Sequence, residues 1–177
     1  MDLFKAMKER YSHKEKFLPD KVPLEDLELI AEAGFLAPTG SNSQCVKFII
    51  LPDRKAIQPL CDIHPTDGLL TAPAAIAVLT DGNTQSGSHN FELEDYSAAT
   101  EHMLLAATAL GYVSLWLDSP YFNEETQKKA LAVLGAPQGY NLRAVLPIGY
   151  PDGDGTRRPK RPYNERVFYG RYGKQKD

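Results

Sequence analysis

Residues 74 to 80 read Ala-Ala-Ile-Ala-Val-Leu-Thr, an unbroken apolar run of strand length. A strand without a polar face has to be covered on both sides. That requirement puts helices above and below a central sheet and sets what the rest of the chain must supply. Residues 23 to 36 supply one such helix, with Leu27, Ile30, Ala31 and Gly34 at the i, i+3, i+4, i+7 spacing of a core-facing stripe. Pro23, Glu25 and Asp26 suit its first turn, where unpaired backbone N–H groups and the helix dipole favour proline and acids.

Other elements follow from the same patterns. Leu3, Phe4 and Met7 share one face of a short first helix that ends before Ser12. Val46 to Leu51 reads as a strand, Arg54 to Cys61 as a short helix, and Asp81 to Asn90 as a flexible loop holding two Gly, two Ser and two Asn. Asp95 reads as the N-cap of a helix from Tyr96 to Leu110, with Gly111 at its C′ position. Tyr112 to Leu117 is the next strand, Asn123 to Leu134 a helix, and Ala144 to Tyr150 the last core strand. Helices and strands interleave without internal repeats, so the fold class is α+β or α/β, with helices packed on a central sheet. From Met103 to Leu110 the central helix is apolar nearly all round, and such a helix is buried on every side. In a domain this small, a subunit interface supplies that burial more easily than one chain does.

At 177 residues the chain is expected to form a single domain over 1–177, with 152–177 as a C-terminal tail. A net charge of −3 gives no reason to expect nucleic acid or membrane partners. No stretch approaches ~18 uninterrupted apolar residues. Asp2, Lys5, Lys8, Glu9 and Arg10 exclude the apolar core of a signal peptide near Met1. Cys45 and Cys61 are too few for a disulfide framework, so a soluble protein of the reducing cytoplasm is expected. His13, His64, His89 and His102 show no ligand spacing and no paired cysteines accompany them, so no metal site is expected. His102, within the apolar helix, reads as a core histidine.

The densest polar chemistry lies in residues 37 to 44, Ala-Pro-Thr-Gly-Ser-Asn-Ser-Gln. Pro38 and Gly40 end the helix before it and permit unusual backbone angles. Asn42 and Gln44 offer donors and acceptors without charge, which suits the carbonyls and ring nitrogens of a heterocycle edge. By composition alone the run is a polar surface turn. A second group is Arg10, Ser12 and Lys14, whose alternation points all three side chains the same way in an extended segment. Two cations and a hydroxyl on one side make a cradle for a phosphate and a polyol chain. Arg158 and Lys160 alternate in the same way in a stretch held extended by Pro159 and Pro162.

The 37–44 run resembles the Ala-Pro-Ser-Gly-x-Asn-x-Gln segment of the nitroreductase family. Four further segments are similar to family segments in the same order. They are Arg10 to Lys14, Val22-Pro23 with Leu27 and Ile30, Glu94 through Leu110-Gly111 to Trp116, and Pro147 to Pro151 followed by Arg158 to Pro162. The resemblance runs from about Leu3 to Pro162. Two departures stand out: Cys45-Val46 follow Gln44 where an aromatic or Thr is common, and one extra residue separates Lys14 from Phe17.

The resemblance implies an α+β, three-layer α/β/α sandwich with a central mixed sheet and flanking helices, assembled as a homodimer. It implies flavin mononucleotide (FMN) as cofactor, NADH or NADPH as electron donor, and a small-molecule acceptor such as a nitroaromatic or quinone, reduced by a ping-pong mechanism. It assigns Arg10, Ser12, Lys14, Arg158 and Lys160 to the flavin phosphate and ribityl region. Asn42 and Gln44 would reach the ribityl chain and the polar ring edge, with Pro38, Thr39 and Gly40 approaching from the partner subunit. Asp118 to Pro120 could offer backbone groups toward flavin N5. Trp116 reads as a core aromatic or as a cofactor contact, and Cys45 has no sequence partner that would activate it. No side chain is assigned as an obligatory proton donor, because the flavin carries the electron chemistry. Two alternatives stand beside this reading: a flavin-binding storage or sensor protein without turnover, and a non-flavin protein whose basic tail binds anions.

Overall fold

The computed structural model describes residues 1–82, 85–86 and 89–176. Its helices are α1 (Leu3–Glu9), α2 (Leu24–Phe35), α3 (Arg54–Ile63), α4 (Asp67–Thr71), α5 (Glu92–Ala109) and α6 (Glu124–Val133). Its strands are β1 (Val46–Leu51), β2 (Ala74–Thr80), β3 (Gln85–Ser86), β4 (His89–Asn90), β5 (Val113–Ser114) and β6 (Asn141–Gly149). Four of them form one sheet in the order β1-β2-β6-β5, and β3 pairs with β4 apart from it. The loop expected over Asp81 to Asn90 lies partly outside the described residues; within it, β3 and β4 form a short antiparallel pair.

The apolar run is the inner strand β2, buried along its whole length. Ala74, Ile76 and Val78 face a core built with Leu27 and Ile30 of α2 and Met103, Leu104 and Ala107 of α5. Ala75, Ala77 and Leu79 face the opposite core, with Ile57, Leu60 and Cys61 of α3, Leu69 of α4 and Ala130 of α6. Each large side chain so buried contributes about 1.5–3 kcal/mol. A one-residue slip of β2 would exchange Ile76 and Val78 for Ala75 and Ala77 in both cores, so packing specifies the register.

Every strand pair in the main sheet is antiparallel, where a mixed sheet was expected. The connection between β1 and β2 shows why. Arg54, at the start of α3, donates from Nη1 to the carbonyls of Leu69 and Ala72 at 2.6 and 3.3 Å. Those contacts bring the chain back to the end of the sheet it left, so β2 runs against β1. Among the described residues, one isolated parallel bridge joins Ser12 to Ser114.

Three further expectations are corrected. Helix α5 begins at Glu92, with Phe91 in the cap position and Asn90 Oδ1 accepting from the Glu92 N–H at 2.9 Å. Asp95 therefore lies inside the helix, and its carboxylate turns inward to other partners. The strand expected over Tyr112 to Leu117 pairs regularly only at Val113–Ser114, and Leu117 bridges separately to Val145. His102 is exposed, with Nδ1 3.2 Å from the Ala33 carbonyl oxygen, because it falls on the edge of α5 that faces α2.

The buried face of α5 is Met103, Leu104, Ala107 and Thr108, whereas Leu105, Ala106 and Ala109 are half-buried and Leu110 is exposed. The all-round apolar character of that stretch is thus only partly absorbed within one chain. Gly111, with φ of +95°, ends the helix as its C′ residue, donating to Thr108 O at 3.0 Å. Gly34 lets α2 and α5 approach closely: a Cβ there would meet Met103 Cγ at 2.9 Å and Phe48 at 3.1 Å. None of the described helices is long and apolar enough to cross a membrane.

Candidate functional site

Two cavities contain nine of the ten residues singled out from the sequence, and no residue lines both. The first, about 700 Å³, lies where the chain's two ends meet. Residues 12 to 18 run along the sheet edge, with His13 N–H donating to Ser114 O and Leu18 N–H to Tyr150 O, both at 2.9 Å. On the other side, Asp152 N–H donates to Lys16 O at 2.9 Å and carries the tail back across the same segment. Arg10, Ser12, Lys14, Arg158 and Lys160 consequently line one cavity together.

The alternation is real in space: His13 is fully buried while Ser12 and Lys14 are exposed. The buried imidazole anchors the segment, with Nε2 2.8 Å from Lys16 O and its ring edge-on to Phe17. Lys8, Tyr11, Glu15 and Arg157 also line this cavity. Arg157 lies 5.0 Å above the Tyr11 ring and donates to Lys8 O at 3.3 Å. Gly155 admits that stacking, since a Cβ there would overlap the Tyr11 ring. Burial raises the Tyr11 phenol, with the Arg157 cation opposing. Hydrogen bonds from its own backbone N–H and that of Lys14 hold the Glu15 carboxyl below the ordinary carboxylate value. The cavity gathers six cationic side chains and one carboxylate, a donor set fitted to a phosphate group.

The second cavity, about 640 Å³, is lined by Pro38, Thr39, Asn42 and Gln44 together with Phe35, Val46, Phe48 and Ala99. Gly40 does not line it. Asn42 and Gln44 thus share a surface with Pro38 and Thr39, apart from the cavity that Arg10 lines. The loop backbone is unusual. Ser41, Asn42 and Gln44 have φ of +52°, +56° and +52°, and they are the non-glycine residues with positive φ among the described residues. Such angles cost of order 1 kcal/mol or more each and persist only where surrounding structure enforces them.

Asp95 is part of that enforcement. Only 2% exposed, it accepts from Gly40 N–H at 2.7 Å through Oδ1. Through Oδ2 it accepts from Ser43 Oγ at 2.8 Å and Cys45 Sγ at 3.4 Å. Thr39 Oγ1 accepts from Gln44 N–H at 3.2 Å, and Lys47 Nζ, paired with Asp81 at 2.9 Å, donates to Gln44 O at 2.9 Å. Gly40 is required by close approach, because a Cβ there would overlap the Phe91 ring. Burial, then Asp95, pushes the Cys45 thiol upward, although a hydrogen bond with Ser43 opposes them; the thiol is not activated toward thiolate chemistry.

Just behind Phe91, the register of β2 against β6 shifts between Val78 and Leu79, leaving Arg143 without a partner across the ladder. Such irregularities re-aim a side chain. Arg143 here turns to Glu92, which also accepts from Thr80 Oγ1 and from Asn141 Nδ2 at 3.2 Å. Burial works to raise the Glu92 carboxyl, but the bonds from Arg143 and Thr80 prevail and hold it below the ordinary value. Trp116 packs edge-on to Tyr96, 6.0 Å between centroids, with its indole N–H buried and unpartnered. Asp118 uses its carbonyl to accept from Tyr121 N–H in a 3-10 turn. Among the described residues no three His, Cys, Asp or Glu side chains are grouped to hold a metal.

Sequence reasoning missed Arg157, Tyr11 and Asp95. Arg157 falls out of phase with the Arg158–Lys160 alternation, and only the narrow approach at Gly155 explains its position. An acid near the start of a helix reads as a cap, and nothing local shows that Asp95 turns inward.

The model of the Nitroreductase family matches residues 7–64 and 64–150. A protein of Archaeoglobus fulgidus, provisionally named an NADH dehydrogenase/NAD(P)H nitroreductase, is 37% identical over 128 residues, covering 72% of this chain and 73% of its own length. A solved structure from Bacteroides thetaiotaomicron under the same provisional name has a TM-score of 0.82 at 25% identity, covering 96% of this chain and 98% of the other. Another, a provisionally assigned nitroreductase in complex with FMN from Desulfovibrio desulfuricans, has a TM-score of 0.76 at 25% identity, covering 97% and 98%.

Proposed function

The chain belongs to the nitroreductase family, and from that premise we propose that it is an FMN-dependent oxidoreductase acting as a homodimer. NADH or NADPH is the electron donor, and nitroaromatic, quinone or related small molecules are the acceptors. The observation that carries this reading is the convergence of Arg10, Ser12, Lys14, Arg158 and Lys160 on one cavity, next to a chain end that also supplies Arg157. The residues fit the cofactor: the cations and the Ser12 hydroxyl suit a phosphate and polyol, and the amides of Asn42 and Gln44 suit the ring edge. The similar structure solved in complex with FMN supports the choice of cofactor.

When bound, the flavin supplies the electron chemistry, taking a hydride from the nicotinamide and passing electrons to the acceptor. The chain's own residues bind and orient. Arg10, Lys14, Arg158 and Lys160 would hold the phosphate by charge-assisted hydrogen bonds, with Ser12 on the polyol. Pro38, Thr39, Asn42 and Gln44, held in their left-handed turn, present amides and backbone groups to the ring. The loop cavity and the basic cavity share no residue, and in this reading a complete site would pair the basic cavity of one protomer with the loop of its partner. The half-buried Leu105, Ala106 and Ala109 offer apolar surface for that dimer, and a three-layer α/β/α arrangement belongs to the same reading. Donor and acceptor would occupy the same site in turn, which would give ping-pong kinetics. No protein side chain is an obligatory proton donor.

The test is spectroscopic. The purified protein loaded with FMN should bleach under anaerobic NADH or NADPH and recover its flavin bands on addition of a quinone. Flavin that binds but does not bleach would identify a storage or sensor protein instead, and failure to retain flavin would refute the proposal.

A further inference from the structure

The buried carboxylate of Asp95 touches neither cavity, yet three of its hydrogen bonds end on one six-residue stretch. It takes the Gly40 N–H on one oxygen and the Ser43 hydroxyl and Cys45 thiol on the other. Between and beside these anchors stand the left-handed residues Ser41, Asn42 and Gln44. A left-handed Ser or Gln relaxes toward negative φ unless something holds it. The clamp grips both ends of the turn and so restrains the intervening Asn42. The Phe91 ring packs so closely on Gly40 that a Cβ there would overlap it.

We infer that Asp95 is a positioning residue for the flavin site: it preorganises the strained 39–44 turn so that Asn42 and Gln44 meet the cofactor already aligned. This rests on the proposed FMN function. Its energetic content is that strain is met during folding rather than on binding, and preorganisation of that kind appears as ligand affinity. Asp95 sits on α5 while the turn precedes β1, so the clamp also fixes the loop to the helix that carries Leu105 and Ala106.

The experiment compares flavin-loaded wild-type protein with Asp95→Ala, Asp95→Asn and Ser43→Ala. It reads the FMN dissociation constant by fluorescence, the melting temperature without flavin, and hydrogen exchange at the Gly40 amide. Asp95→Ala should weaken FMN binding about tenfold or more and expose the Gly40 amide to exchange. Asp95→Asn keeps an acceptor for Gly40 and should recover most of the affinity; Ser43→Ala, which removes one anchor, should fall between. If Asp95→Ala does not fold, the graded order of the other two variants decides. Wild-type affinity in Asp95→Asn and Ser43→Ala together with unchanged Gly40 exchange in every folded variant would overturn the inference. So would affinity losses that merely follow the flavin-free melting temperature. Wild-type protein that binds no FMN fails the functional proposal itself, and Gly40 exchange then still reports whether the clamp exists.

Discussion

Replacing Arg143 with Met should expose how the start of α5 is held. Glu92 is 8% exposed and receives Arg143 Nε at 2.9 Å as well as Nη2, Thr80 Oγ1 and Asn141 Nδ2. Methionine fills similar space but leaves a buried carboxylate without its counter-charge, a lesion that costs about 3–5 kcal/mol. For a domain of this size that is a fall in melting temperature of roughly 6–20 °C. The loss should depend on pH in a defined direction. In the wild type the Glu92 carboxyl lies below its ordinary value, so the pair contributes stability at neutral pH that is lost as pH falls through that lowered value. In Arg143→Met, burial acts without the guanidinium and raises the carboxyl, so the penalty is full at neutral pH and is relieved as protonation neutralises the group. Calorimetry at pH 7 and pH 4 should therefore show the gap between variant and wild type narrowing on acidification. Glu92→Gln combined with Arg143→Met should recover most of the loss at pH 7. A gap below 2 °C at pH 7, or one that does not change with pH, would refute this account of the network.

Three other outcomes follow from the site. Leu105→Glu places a carboxylate on the half-buried face of α5, and light scattering with flavin absorbance should show dimer and flavin lost together; a yellow monomer would break the link between them. Chains carrying Arg10→Ala with Lys160→Ala, and chains carrying Asn42→Ala with Gln44→Ala, should each retain little flavin alone. Co-refolded, they should regain up to one flavin per mixed dimer, because one of its two sites is then intact; no regain would place both cavities' contributions in the same chain. His102→Ala, at an exposed position, should leave the rate of flavin reduction unchanged, measured by stopped-flow bleaching, and loss of reduction with flavin retained would reveal a missed catalytic group.

What the sequence determined by itself was local. The unbroken 74–80 run demanded cover on both faces, and β2 has it because the side chains from Ala74 to Leu79 are all apolar. Spacing placed Leu27, Ile30 and Gly34 on the buried side of α2, and the left-handed preference of Gly111 ended α5 where expected, since both depend on neighbours within one or two turns. Alternation told which of Arg10, Ser12, His13 and Lys14 point together. Tertiary structure alone decided the rest. The antiparallel order depends on Arg54 reaching Leu69 and Ala72 across 15 to 18 residues, and no periodicity encodes that reach. His13 became the buried histidine and His102 the exposed one because strand and helix edges are assigned by what packs on them. Glu92 and Asp95 look like acids of a helix's first turn, yet Arg143, freed by a shift in register, and Gly40, pressed against Phe91, turned them inward. Partners 50 or more residues away set the meaning of those two side chains, and only the folded chain brings such partners within hydrogen-bonding distance.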